Sequence, residues 1–569
     1  MNARLTRRSF IKKSALVAGS AAVTHLLPSC RSVNASALVT APSGRRIAAG
    51  PFQPTWESLA SQYQCPDWFR DAKFGIWAHW SAQCVPEQGD WYARQMYLQN
   101  GSQYNFHVKT YGHPSQFGFM EIDNLWKAER WEPEKLMALY KRAGAKYFFA
   151  LANHHDNFDN YDSRYHAWNS VNVGPKRDLI GGWAKAARAE GLRFGVSNHS
   201  AHAWHWFQTA YGYDPEGPNV GKRYDAFTLT KADGKGKWWD GLDPQELYGG
   251  GRNMVMPDGI TTVSAMNSWH SANTGKWNES IPTQNPGFAE KWFLRCQDLM
   301  DRYQPDVVYF DNSSLPFEQI GLDVAAHYYN ASLARSGGAV EVVLNAKKMT
   351  DAHRPALVED IERGVATEIR SAPWQTDTCI GQWHYQRSLF DRHGYKTAAQ
   401  VIQMLVDIVS KNGNLMLSVP VRGDGTIDSD EVAVVEGIAA WTSANGEGIF
   451  ASRPWKIYGE GPSTTNIQRG QFGGGRDVRP YVAGDVRFTQ KGDVLYAFLL
   501  APPDGNTAII RSLASSSPQL GGRKVADVSL LGHGPLRWLQ DSDGLRVTLP
   551  DNLSASPAHT LKISGVAGS

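Results

Sequence analysis

Asn153-His154-His155-Asp156 places an amide, two imidazoles and a carboxyl group on four consecutive residues. Such a cluster can hydrogen-bond a polyhydroxylated ligand, move protons or hold a metal. Read as a plain turn, it offers an Asn and an Asp suited to capping the next helix. An amphipathic run ending at Gly144 and a short apolar run, 147–151, lead into it. Other apolar runs also end in polar side chains: His79, His199, Asp311 and Asn345. In a barrel of alternating strands and helices, the C-terminal strand ends share one face, which carries the binding and catalytic groups.

Asp311 adds a different capability. A carboxylate can attack an acetal carbon when a second carboxyl group stands about 5–5.5 Å away, protonates the leaving oxygen and later deprotonates water. The first group must be ionised and the second protonated, so their surroundings must differ. Glu359, Glu362 and Glu368 all follow the Asn345 run and are candidates for the second role. Spacing does not choose among them. For Asp311 the structural alternative is a helix N-cap.

The elements that would position these groups alternate in type. Extended patterns are predicted at 74–78, 147–151, 192–199, 306–311, 339–345 and 415–419. Helical patterns are predicted at 182–191, 287–303, 322–336, 397–409 and 431–444. This order predicts an α/β chain with a (β/α)8-like barrel over residues 56–454. Residues 201–286 form a long connection holding Trp204, Trp206, Trp238, Trp239, Trp269 and Trp277, and are expected to wall a binding cleft. From 455 to 569 the texture changes to short alternating segments with turns such as Lys491-Gly492-Asp493, expected as a C-terminal antiparallel β-sandwich. Residues 31–55, rich in Ser, Ala, Gly and Pro, read as a linker.

The 569 residues carry a formal net charge of +3, without the basic excess of a nucleic-acid binder. Trp is abundant, at 21 residues, and its flat amphipathic face suits sugar rings as well as cores. The five cysteines, Cys30, Cys65, Cys84, Cys296 and Cys379, show no CxxC spacing, which argues against a zinc site or disulfide framework. No third metal ligand at a metal-site spacing accompanies His154-His155. At the N-terminus, Arg7-Arg8-Ser9-Phe10 followed by the apolar run 15–27 is a twin-arginine export signature, and residues 1–30 are expected to be the signal peptide. The expected destination is periplasmic, lipid-anchored or secreted. Leu27-Pro28-Ser29-Cys30 also resembles a lipoprotein processing site, which makes Cys30 a candidate lipid anchor.

From about Trp68 to Trp455 the chain resembles glycoside hydrolase family 29, the α-L-fucosidases. The resemblance rests on Trp68-Phe69-Arg70-Asp71-Ala72-Lys73-Phe74-Gly75-Ile76 with His79-Trp80, Trp91-Tyr92, and Ala143-Gly144-Ala145-Lys146-Tyr147 leading to His154-His155-Asp156. It continues through Gly174-Pro175-Lys176-Arg177-Asp178, Gln304-Pro305-Asp306 with Asp311, and Ser410-Lys411-Asn412-Gly413-Asn414. The resemblance implies a barrel with a C-terminal β-sandwich and an exo-acting retaining mechanism without metal or cofactor. The implied substrate is a fucosylated oligosaccharide or polysaccharide. It also implies roles for residues: Asp311 as nucleophile, His79, His154 and His155 on the fucose hydroxyls, and Trp91 in the same pocket. His199 and Tyr309 stand at positions where the family pattern differs and join the substrate-binding set. Glu362 is the preferred acid/base, with Glu359 as the alternative.

The chain departs from the family pattern at Asn153 and Asn157, which flank the paired histidines. It departs again at Tyr309, at Ser197-Asn198-His199 and at Pro373-Trp374-Gln375. These departures are expected to bear on sugar and linkage preference. They leave two other enzyme readings, an α-L-galactosidase and a fucosidase for sulfated fucan. A non-catalytic sugar-binding protein is the alternative of another class.

Overall fold

Eight short strands, joined edge to edge, close a parallel barrel. In chain order they are β1 (Phe74–Ala78), β2 (Tyr147–Asn153), β3 (Arg193–Asn198), β4 (Val307–Ser313), β5 (Val343–Lys347), β6 (Val358–Asp360), β7 (Trp374–Cys379) and β8 (Gly413–Ser418). Each pairs with the next, and β8 pairs with β1 through Leu415↔Phe74 to Ser418↔Trp77. The computed structural model describes residues 37–567, apart from 251–253, 274–279, 284, 465–467, 470–474 and 477–479. The expected signal peptide, Cys30 and Trp277 lie outside the described residues.

The helices between the strands form where local chemistry starts them. The helix α1 (Pro133–Arg142) opens on Pro133 in its first turn, where a missing N–H costs nothing. For α2 (Leu179–Ala189), the Asp178 carboxylate accepts from the Gly181 N–H at 2.9 Å. The helices α3 (Pro286–Tyr303) and α4 (Gln319–Ser336) cover β4 and β5. A Thr397–Gln400 capping box starts α5 (Ala398–Ser410), and Asp428 with Glu431 starts α6 (Ser429–Asn445). The β5–β6 connection has only the short turn Arg354–Ala356, and the β6–β7 loop has no helix.

Along the strands, side chains alternate between helix layer and barrel axis. Phe310 packs on Trp292 of α3, while its neighbours Tyr309 and Asp311 face inward. Gly75 is needed because a Cβ there would come within 2.2 Å of the Tyr147 ring, which fills the barrel floor. Polar residues occupy the inner face above it: Asn345 and Lys347 on β5, Asp360 on β6, Gln375 and Asp377 on β7. All of them are buried.

The observed strands differ from the sequence expectation in register and number. The strand predicted at 339–345 begins four residues later and ends two residues later, so Lys347 and not Asn345 ends it. Two strands, β6 and β7, were not predicted. The segment expected as a linker forms a hairpin, Leu38–Thr40 with Arg46–Ala48. It docks on α4, where Asn330 Nδ2 donates to the carbonyls of Ala48 and Phe52, both at 3.0 Å.

The C-terminal region holds a six-stranded and a three-stranded antiparallel sheet. Val486, Leu495 and Leu561 of the first meet Ile510, Leu545 and Val547 of the second in one apolar core. A buried ion cluster ties this region to the barrel. Asp407 of α5 accepts from Lys411 Nζ and from Arg487 Nε, each at 2.6 Å, and all three side chains are at most 2% exposed. Trp441 of α6 donates its Nε1–H to the Ala558 carbonyl at 2.9 Å.

Within the 201–286 connection, short helical turns alternate with loops. Trp204, Trp206 and Trp239 are buried and Trp238 is exposed. Two carboxylates, each held by tyrosines, anchor the connection. Tyr104 and Tyr224 donate to Asp214, and Tyr97 and Tyr248 donate to Asp225. It contributes His202 to the cavity described next, while Trp206 packs behind the histidines; among the described residues of the connection, no tryptophan lines that cavity.

Candidate active site

A cavity of about 540 Å³ opens at the C-terminal ends of the barrel strands. His79, Trp91, His154, His155, His199, Tyr309, Asp311 and Glu362 line it. Glu359 does not. Its neighbour Asp360 faces the axis, so strand alternation turns Glu359 outward, where it accepts from Arg354 Nε at 2.9 Å and Arg370 Nη1 at 2.6 Å. There it borders a separate cavity of about 360 Å³ together with Glu368. Asp311 sits within β4 and caps no helix.

Asp311 is flanked by two imidazoles and an ammonium. Its Oδ2 lies 3.2 Å from His155 Nε2 and 3.2 Å from His199 Nδ1, and its Oδ1 pairs with Lys347 Nζ. The same Nζ reaches Glu362 Oε2 at 2.5 Å. Lys347 thus bridges the two carboxyl groups. Burial pushes the Asp311 carboxyl up, but Lys347, His199 and His155 outweigh it and hold the group well below the usual carboxylate range. Glu362 ends with the opposite balance: burial raises it, Asp377 and Asp311 add to that, and Lys347 offsets only part. Two carboxyl groups on one ammonium are therefore driven apart in acidity, the condition for one to be ionised while the other holds a proton.

The histidines are arranged as uncharged hydrogen-bonding groups. Burial lowers His79, His154 and His199 below the ordinary imidazole range and takes His155 to about 4. His79 is 2% exposed and neither ring nitrogen has a hydrogen-bond partner, so both are left for a ligand. Gln83 sets the tautomer of His154. Its Nε2 donates to Asp156 Oδ2 at 2.9 Å and to His154 Nδ1 at 2.9 Å, while its Oε1 accepts from the Ala93 N–H. His154 Nδ1 is therefore an acceptor and Nε2 carries the proton. His155 Nδ1 donates to the His199 carbonyl at 2.8 Å. Trp91 lines the same cavity from a left-handed backbone position, φ 64°, at the start of a one-turn helix.

Several cavity residues went unpredicted. Lys347 was displaced by the register of β5, and Asp377 lies on an unpredicted strand. Trp77, Trp383, His202 and Arg363 also line the cavity. Arg363 stacks over the Trp383 ring at 4.8 Å and donates to Cys379 Sγ at 3.2 Å; it pairs with neither Glu359 nor Glu362. The two asparagines expected to mark a substrate difference serve the scaffold. Asn153 Oδ1 accepts from the N–H groups of His199 and Ser200, and Asn157 holds the carbonyls of Glu246 and Leu247 and accepts from Arg295 at 2.7 Å. Asn157 takes φ 61°, a conformation that glycine or asparagine tolerates.

Sequence spacing offered no third metal ligand, but the fold supplies one. Among the described residues, three sets have ligand atoms within 4.8 Å of one another: His79–His154–His384, His154–His155–His199 and His155–His202–Asp311. A metal-bound histidine donates its other N–H to an acceptor. His154 does the reverse, because Gln83 donates to it, and its free nitrogen suits a hydroxyl and not a metal ion.

Known proteins resemble this chain over most of its length. The profile of the family "Alpha-L-fucosidase" matches residues 39–447, and that of "Alpha-L-fucosidase C-terminal domain" matches 479–564. Tissue alpha-L-fucosidase of Homo sapiens is 26% identical over 528 residues, covering 90% of this chain and 92% of the human protein. That of Rattus norvegicus is 25% identical over 543 residues, covering 91% and 94%. The crystal structure of Thermotoga maritima alpha-fucosidase in complex with fucose superposes with a TM-score of 0.62 at 25% identity, covering 90% of this chain and 99% of that one. With the profile spanning most of the chain and the barrel and C-terminal sheets both in place, the chain belongs to the α-L-fucosidase family of glycoside hydrolases.

Proposed function

We propose that the protein is a retaining exo-α-L-fucosidase acting on terminal α-L-fucosyl groups of glycans or polysaccharide-derived oligosaccharides. The observation that carries this reading is the Asp311–Lys347–Glu362 bridge. One ammonium touching both brings the two carboxyl groups close together, which favours the ~5–5.5 Å separation of retaining enzymes over the ~6.5–9.5 Å of inverting ones. In the first step Asp311 attacks the anomeric carbon. The glycosidic C–O bond breaks as Glu362 passes its proton to the leaving oxygen, and a fucosyl ester of Asp311 forms. In the second step the Glu362 carboxylate takes a proton from water, the water oxygen replaces Asp311 at the anomeric carbon, and fucose leaves with its configuration kept.

His79, His154 and His155 serve the sugar hydroxyls, with Trp77, Trp91 and Trp383 as apolar faces for the ring and methyl group. Export by the twin-arginine route belongs to the same reading and is supported by Arg7-Arg8.

Asp311→Gly tests the assignment with an aryl α-L-fucoside. Hydrolysis should fall on the order of 10⁴-fold or more, and azide should restore turnover with a β-fucosyl azide product. Undiminished hydrolysis by the variant would exclude Asp311 as nucleophile. An aryl α-L-galactoside measured alongside decides between the sugars, and preference for it would replace the fucoside reading.

A further inference from the structure

Beneath the cavity, two more carboxyl groups meet where the proposed chemistry does not use them. Asp360 of β6 and Asp377 of β7 are each 1% exposed. Tyr309 donates its hydroxyl to Asp377 Oδ2 at 3.0 Å. Gln375 donates its Nε2–H to Asp360 Oδ1 at 2.9 Å, and its own Oε1 accepts from the Tyr147 hydroxyl at 3.1 Å. This leaves one oxygen on each carboxyl group, Asp360 Oδ2 and Asp377 Oδ1, without a donor. Asp360 pairs across the strands with Gln375, and Asp377 is the next inward-facing residue of β7, so the two carboxyl groups are neighbours on the inner face. Two buried, neighbouring carboxylates repel and are both desolvated, so a proton shared between them is the state that satisfies both.

We propose that Asp377, sharing one proton with Asp360, is a positioning residue that keeps Glu362 protonated and Lys347 in place. The inference rests on Glu362 being the acid/base. The pair carries one negative charge. That charge opposes a second one on Glu362 and attracts the Lys347 ammonium that bridges to Asp311. Around Glu362 the other charged or titratable groups are Lys347, Asp311, Arg363 and Tyr309; around the pair they are Lys347, Glu362, Arg363, Tyr309 and Tyr147. Burial and the neighbouring Asp377 push the Asp360 carboxyl well above the usual range, in keeping with a retained proton.

Three variants separate this role from a structural one, each read by the basic limb of kcat/KM, which reports the free enzyme's acid. Asp360→Asn replaces the shared O–H by N–H and leaves the charge on Asp377, so the limb should stay. Asp377→Asn moves the charge outward, so the limb should fall. Asp360→Asn/Asp377→Asn removes it, and the limb should fall furthest, by roughly one pH unit. An unmoved limb in the double variant, or an equal shift in Asp360→Asn alone, overturns the proposal. Infrared spectroscopy supplies the second measurement. The difference spectrum between the parent and Asp360→Asn at neutral pH should show the loss of one buried protonated carboxyl band, beside those of Glu362 and Asp225, which stay; a difference spectrum without that loss also overturns the proposal. In Glu362→Gln the basic limb should vanish. If it persists, the acid/base assignment has failed, whatever the infrared band shows.

Discussion

Lys347→Met is the most informative single change at this site. The side chain is 9% exposed and its ammonium contacts both reactive carboxyl groups. Unit charges 4 Å apart at an effective dielectric constant of 20 attract by about 4 kcal/mol, equivalent to about 3 pK units. The contacts are shorter than that, whereas the Asp311 side chain is 20% exposed and partly screened. We therefore expect the Asp311 carboxyl to rise by roughly two to three units from its depressed position. Its folded-state value lies below the reference 3.8, so its stabilisation is present above that pH and is lost as pH falls through the folded value. The variant should be less stable at neutral pH by about 3 kcal/mol, the low end for removing one partner of a buried ion pair, and should approach the parent in acid. The assay is the pH profile of kcat/KM on an aryl α-L-fucoside. Its acid limb should move up by about two units, with a loss that grows to about ten-fold or more as pH falls below 4. Lys347→Arg, which keeps the charge, should hold the limb near the parent position. A Lys347→Met profile that superimposes on the parent after scaling would refute the idea that this ammonium keeps the nucleophile ionised.

Other outcomes follow from the same structure. Gln83→Met removes the donor that fixes His154 and satisfies Asp156, and should raise KM about ten-fold with a smaller effect on kcat, checked by steady-state kinetics. Arg487→Met leaves Asp407 with Lys411 alone and should cost about 3–5 kcal/mol by chemical denaturation, with kcat/KM of the folded enzyme unchanged. Burial raises the Asp225 carboxyl to about 7 from a reference of 3.8. The folded state then holds the proton more tightly, so this group's contribution to stability falls as pH rises from about 4 to about 7, by up to ~1.4 kcal/mol per pH unit. Asp225→Asn should flatten that slope in urea melts at several pH values.

The sequence revealed the strands whose apolar runs are long enough to register, such as 147–151, and the polar residues that end them. It failed where the barrel interior is polar. β7 reads Trp-Gln-Thr-Asp-Thr-Cys, with Gln375 and Asp377 turned inward, and gives no apolar alternation. β6 is three residues long and is held by pairing on both sides more than by its own composition. Missing both strands also hid the reason that Glu359 and Glu362 differ: one points outward from a strand, the other stands in the loop beyond it. Lys347 was masked by an apolar run, Ala339 to Leu344, whose first residues are not in the barrel. Asn153 and Asn157 show what sequence nearness leaves out. They flank the histidines and were expected to bear on sugar preference, and the hydrogen bonds they make run to backbone carbonyls, to backbone N–H groups, to Asp159 and to Arg295. Gln83 lies 71 residues before His154, and only folding brings them together.

The Asp407–Arg487 contact has a consequence for how the chain comes off the ribosome. Synthesis completes the barrel's last strand and α6 before Arg487 and Ala558 exist, yet the outer faces of α5 and α6 are finished by those later residues. Until they arrive, Asp407 lacks one of its two cations and Trp441 has no acceptor for its indole N–H. A nascent barrel is therefore an unfinished one, and a chain stopped near residue 455 should accumulate as an aggregation-prone intermediate and not as a working catalytic module.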